Sequence, residues 1–119
     1  MKVDAIRDML DAQVMCCVDQ LATEVYSACG SDMMSDVLAF VKDQGILLTG
    51  LVNAQTVRTA MMMDIKCIVF VRGKKPDDMV ISLAEENGII LMCTDFRMYT
   101  ACGILYSAGL YTEGVDKVE

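Results

Sequence analysis

Histidine is absent from the sequence. Its absence removes the commonest general base, and with it the Ser–His and Cys–His arrangements that activate side-chain nucleophiles. It also removes one of the two usual zinc ligands. The other, cysteine, stands at 16, 17, 29, 67, 93 and 102 without a C-x-x-C pair, so no metal site is expected. Neither G-x-G-x-x-G nor G-x-x-x-x-G-K-[ST] occurs, which leaves no fingerprint of a dedicated nucleotide fold. Apolar runs such as 67–71 and 89–93 are far short of the ~20 residues of a membrane helix. The opening MKVDAIRDML mixes charged with apolar residues and lacks the long apolar core of a signal peptide. A basic excess is missing too: 10 Lys and Arg stand against 17 Asp and Glu, a net charge of −7. Nucleic acid, which needs a basic face to displace counterions, is therefore not an expected partner. A soluble, cytoplasmic protein with no membrane contact and no cofactor is expected.

Apolar residues are plentiful, at 55% of the chain, which excludes disorder. Over 1–119 the chain is expected to form one domain with a single core, closed by a polar tail at 111–119. The cysteines lie mostly in strand-like apolar runs and are read as reduced, buried thiols. Val3, Ile6 and Leu10 share a helical face, predicting a helix over 2–11. Segments 13–17 and 24–28 are strand-like and too close for a helical crossover, so they are expected to pair antiparallel. Gly30 frees the backbone, and Ser31 is expected to cap a helix to about 41 that buries Met34, Val37, Leu38 and Val41 and closes near Gly45.

Three strand–helix units follow. Strand 46–49 precedes a helix over 53–63 with Val57, Ala60 and Met61 inward. Strand 67–71 precedes RGKKPDD, in which Pro76 suits a first turn and Asp77 and Asp78 suit the positive end of the helix dipole. That helix buries Val80, Leu83 and Ala84 and ends at Asn87 and Gly88. Strand 89–93 precedes a helix capped by Thr94 or Asp95 and stopped at Gly109. The fold class is α/β: a three-layer α/β/α sandwich with a mixed, mostly parallel sheet of about five strands.

Open α/β sheets bind ligands beyond the carboxyl ends of their strands, which is where three loops are expected to meet. Gly50 can bring its amide close to a ligand, beside Thr49, and Asn53 opens a helix whose first N–H groups attract anions. Arg72, Gly73 and Lys74, with Lys75, give local positive potential, and Thr94 and Asp95 complete the edge. A plainer account stays open for each: a turn glycine, a cap, solvated charges. A thiol at Cys93, at a helix start, is a candidate nucleophile, but Asp95 opposes its activation and no base is in view. Met62 and Met63 cannot both face inward with Met61, and Tyr99 and Tyr106 flank the Met98, Cys102 and Leu105 stripe. Those four residues are the candidate subunit contact.

The run GILLTGLVNAQTVRTAMMMDIKCIVFVRGKKPDDMVISLAEENGIILMCTD, continued by FRMYTACGILYSAGL and preceded by VYSACGSDMMSDVLAFV, resembles the DRTGG domain over about 20–110. That family is similar in fold to the N-terminal domain of HPr kinase/phosphorylase. Its domains occur between cystathionine-β-synthase-type (CBS) domains in some pyrophosphatases, in some phosphotransacetylases, and as small stand-alone proteins. The resemblance implies a regulatory or dimerisation module without chemistry of its own, signalling to a partner protein. The naming pentapeptide belongs near Thr49, where this chain reads TGLVN, so the resemblance carries no ligand role to that loop. A mean hydropathy of +0.42 and eleven methionines in a small domain add to the expectation of a homodimer. The alternative is a module sensing a small anion or an adenine nucleotide. An enzyme using Cys93 is the weakest reading.

Overall fold

The computed structural model describes residues 1–40 and 45–111. Helix α1 (Val3–Leu10) leads into strand β1 (Gln13–Cys16) and a short 3-10 turn (Val18–Gln20). Next come β2 (Ala28–Gly30), α2 (Met34–Phe40), β3 (Ile46–Thr49), α3 (Ala54–Met62) and β4 (Cys67–Phe70). Helix α4 (Asp78–Glu86), strand β5 (Ile90–Cys93) and helix α5 (Met98–Ser107) complete it. The sheet runs β1-β5-β4-β3-β2, with β1 antiparallel to β5 and every other pair parallel.

This is the expected mixed α/β sandwich. Strands β3, β4 and β5 are buried at every position, as strands covered on both faces must be. From β2 to β5 each crossover steps to the adjacent strand in one direction, so right-handed connections put α2, α3 and α4 on one face. There α3 packs against both α2 and α4, while α1 packs against α5 on the other face. Val3, Ile6 and Leu10 are fully buried, as the spacing along α1 predicts.

The expected pairing of 13–17 with 24–28 is overturned. Strand β1 lies at one edge of the sheet and β2 at the other. The segment between them passes beneath the amino ends of the parallel strands, and its hydrogen-bonding groups turn to α1 instead. Val3 and Asp4 amides donate to Thr23 and Leu21 carbonyls, Val25 donates to Met1, and Lys2 bridges Glu24. Alternation at 24–28 correctly marks an extended chain, but its neighbour is chosen by distant packing. Gly45 shows how close that packing is, because a Cβ there would meet Val25.

Smaller corrections follow the same logic. Leu38 is 41% exposed and Met61 43% exposed, not inward, whereas Val37, Val57 and Ala60 are buried. Ser31 accepts a hydrogen bond from Met33 N–H in a turn ahead of α2 and does not cap it. Val41, in the predicted stripe of that helix, lies outside the described residues. Leu83 on α4 is only half-buried. Among the described residues no helix is long and apolar enough to cross a membrane.

Candidate functional site

Parallel pairing of β3, β4 and β5 aligns their carboxyl ends, so the loops that follow them lie side by side. Hydrogen bonds knit them together: Val71 N–H donates to the Thr49 carbonyl, Arg72 to Phe96 and Gly73 to Thr94. The three loops named from sequence are thus brought to one edge. Arg72 (φ 62°) and Gly73 (φ 70°) both take the left-handed conformation. Glycine does so freely, whereas arginine does so at a cost.

At the end of β3 the Thr49 side chain is buried. Its hydroxyl donates to Asp32 Oδ1 at 3.0 Å, and the Gly50 amide donates to the same oxygen at 2.7 Å. The Gly50 amide, expected to be open to a ligand, therefore already holds an internal carboxylate. On its other side Gly50 abuts Arg72, whose guanidinium occupies the space a Cβ would need. Arg72 and Lys74 are exposed and form no ion pair among the described residues. Lys75 donates to Gln13 Oε1 across to β1. Asn53 caps α3, its Oδ1 accepting from Thr56 N–H at 3.0 Å.

Thr94 and Asp95 do not cap α5. The Thr94 hydroxyl donates to the Leu10 carbonyl at 2.7 Å, tying this edge to the end of α1, and α5 starts behind Arg97 without a side-chain cap. Asp95 is exposed and borders Gly73. A cavity of about 130 Å³ lies against Thr94, Asp95, Leu10 and Asp11. Sequence reasoning missed Asp32. The signal that could have found it is topological: β2 parallel to β3 sets the turn after β2 beside the turn after β3.

Nothing in the geometry activates a nucleophile. Burial pushes the Cys93 thiol up, partly offset by the nearby Lys75 ammonium. Burial raises Cys16, Cys29 and Cys102 as well, lifts Cys17 to about 12, and raises the fully buried Cys67 further. All six cysteines are free thiols. Among the described residues no group of three or more His, Cys, Asp or Glu side chains could hold a metal ion.

The four candidate interface residues separate. Met62 is 70% exposed and Met63 half-buried at the end of α3, on the α2–α3–α4 face. Tyr99, 91% exposed, and Tyr106 stand on α5, on the opposite face. Tyr99, Cys102, Gly103 and Tyr106 line one open, uncharged face of α5. Tyr106 also packs on Tyr111, ring centroids 4.6 Å apart.

Comparison with known proteins agrees with this architecture. No curated protein matches the chain in sequence. A similar solved structure is the crystal structure of the CBS and DRTGG domains of the regulatory region of Clostridium perfringens pyrophosphatase, complexed with its activator diadenosine tetraphosphate. It superposes with a TM-score of 0.73 at 17% identity over 95% of this chain. The match spans 51% of the pyrophosphatase chain, about half its length. The family model of the DRTGG domain covers residues 5–108, reaching further toward the amino terminus than the resemblance in sequence does. On that match, which runs from within α1 to the end of α5, the chain belongs to the DRTGG domain family.

Proposed function

We propose that the protein is a regulatory module without chemistry of its own, acting as a homodimer that presents a state to a partner protein. One observation carries the pairing. Helix α5 has no charged residue in its ten positions, although 23% of the chain is charged, and its outer face is exposed. Surface that is free of charge and carries exposed tyrosines has the composition of an interface core, which is depleted in charged and enriched in aromatic residues. Two copies at −7 each repel, and an uncharged face lets them meet at the least electrostatic cost. Ten residues make a helix only about 15 Å long. A specific dimer buries about 1,200–2,000 Å² in total, so the contact must extend to neighbours such as Tyr111. Light scattering at micromolar concentration is expected to give twice the 13.1 kDa chain mass. Tyr99→Glu is expected to split the dimer and Met62→Glu to leave it whole. A mass near that of one chain for the unaltered protein ends this reading.

A second reading has its own support. The arginine beside Gly50 lies at the sheet edge where α/β proteins hold ligands. The similar structure belongs to a regulatory region that binds a dinucleoside tetraphosphate. On this reading Thr49, Gly50, Asn53, Arg72, Gly73, Lys74, Thr94 and Asp95 border a site for a small anion or adenine nucleotide. Binding to the folded state raises the melting temperature by mass action, so a thermal-shift series with ATP, ADP, AMP and phosphate tests it. No shift at millimolar concentration removes it and leaves the dimer standing.

A further inference from the structure

We infer that Thr49 and Gly50 form an oxyanion subsite that Asp32 keeps closed, so that a phosphate-type group enters only by displacing that carboxylate. The inference rests on the ligand-sensing reading and gives it a mechanism. A single oxygen, Asp32 Oδ1, takes both donors, the buried Thr49 hydroxyl and the Gly50 amide. Those donors hold an anion now, and phosphate oxygens accept hydrogen bonds as carboxylate oxygens do. Across the same glycine lies the Arg72 guanidinium, yet no ion pair joins Arg72 to Asp32 or to any other described residue. A phosphate is larger than a carboxylate and has more acceptor oxygens. In place of Asp32 it would take the two donors with one oxygen and present its other oxygens to the guanidinium, a charge-assisted contact that arginine makes well.

The closing group is placed to leave. Asp32 is exposed and belongs to a short turn in which Ser31 Oγ accepts from Met33 N–H. Ser31 N–H remains anchored to the Leu48 carbonyl at 3.0 Å, so the carboxylate can swing out without unpicking β2. Helix α2 begins at Met34, two residues on. Release of Asp32 removes the side-chain tie between the end of β3 and the turn ahead of α2, so occupancy of the subsite is felt at the start of that helix on the α2–α3–α4 face.

Calorimetric titration of the full chain with inorganic phosphate at low salt tests the gate. Asp32→Asn keeps an acceptor for both donors but removes the competing charge, and is expected to bind phosphate at least tenfold more tightly than the unaltered protein. Adding Arg72→Gln is expected to cancel that gain. Asp36→Asn, the same charge change on α2, is expected to leave affinity unchanged. ATP should share the gain and adenosine, which has no phosphate, should not. If Asp32→Asn does not fold, Asp32→Ser is read in the same way. The gate is overturned if the Asp32 variant gains nothing, if Asp36→Asn gains as much, if the gain survives loss of Arg72, or if adenosine gains equally. Should ATP stabilise the unaltered protein while the Asp32 variant gains nothing, only the gate fails. If neither ATP nor phosphate binds any variant, the ligand reading fails with it.

Discussion

Gly45 and Gly50 flank the same strand, and a methyl group would meet a different obstacle at each. At Gly45 a Cβ would lie 2.8 Å from Val25 Cγ1 and 3.0 Å from Val25 Cα, and neither atom is free to retreat. Gly45→Ala is expected to cost about 1–3 kcal/mol by overpacking. At Gly50 the obstacle is the tip of Arg72, which can swing into solvent. Gly50→Ala is expected to cost under about 1 kcal/mol while dislodging the guanidinium. Urea unfolding of both variants checks the order, and a Gly50 variant less stable than the Gly45 variant contradicts it. The thiols add a pH dependence. Each is raised in the folded state, so the folded protein keeps protons that the unfolded chain loses above about 9, where an unperturbed thiol titrates. Stability is then fully present below pH 9 and falls as pH rises toward the folded values, by up to about 1.4 kcal/mol per pH unit for each group. For Cys17 the window runs from 9 to about 12. Melting temperatures from pH 8.5 to 11 should fall less steeply for Cys17→Ala than for the unaltered protein.

Helices α3 and α4 were legible because local chemistry decides their ends, although α4 starts at Asp78, so Pro76, expected in its first turn, lies just ahead of the Asp77 cap. Asn53 and Asp77 each accept from the amide three residues on, and each stands just ahead of a periodic apolar stripe. Replacing either by alanine is expected to cost about 1 kcal/mol, measured by chemical denaturation. Helix α5 was misread at its start because the Thr94 hydroxyl that reads as a cap accepts from Phe96 N–H in a turn ahead of the helix while donating to the Leu10 carbonyl, 84 positions away. No local pattern reports such a bond. The position that does precede α5, Arg97, has extended backbone (φ −73°, ψ 162°) and puts a positive charge at the positive end of the dipole. Arg97→Ser supplies the missing acceptor and is expected to add about 1 kcal/mol of stability. An unchanged denaturation midpoint would show that the first turn of α5 is satisfied in some other way.

Across the whole molecule, the buried strands and the crossovers between them were readable, since continuous apolar runs alternating with amphipathic helices permit few arrangements. The placement of the first quarter of the chain was not readable. Segments 13–17 and 24–28 look alike as extended chain, yet the first supplies edge strand β1 while most of the second runs under the sheet against α1 and only Ala28 enters β2 at the opposite edge. The Asp32 contact was hidden for the same reason, because it exists only once β2 lies beside β3. Placing β1 against β5 also imposes an order in time. Gln13 is opposite Cys93, so β1 has no neighbour in the sheet until β5, about eighty residues later, has been made. Contacts so distant in sequence slow folding and expose the chain to aggregation. A chain stopped at residue 88 is therefore expected to keep its amino-terminal segment protease-sensitive, with cleavage falling before β2.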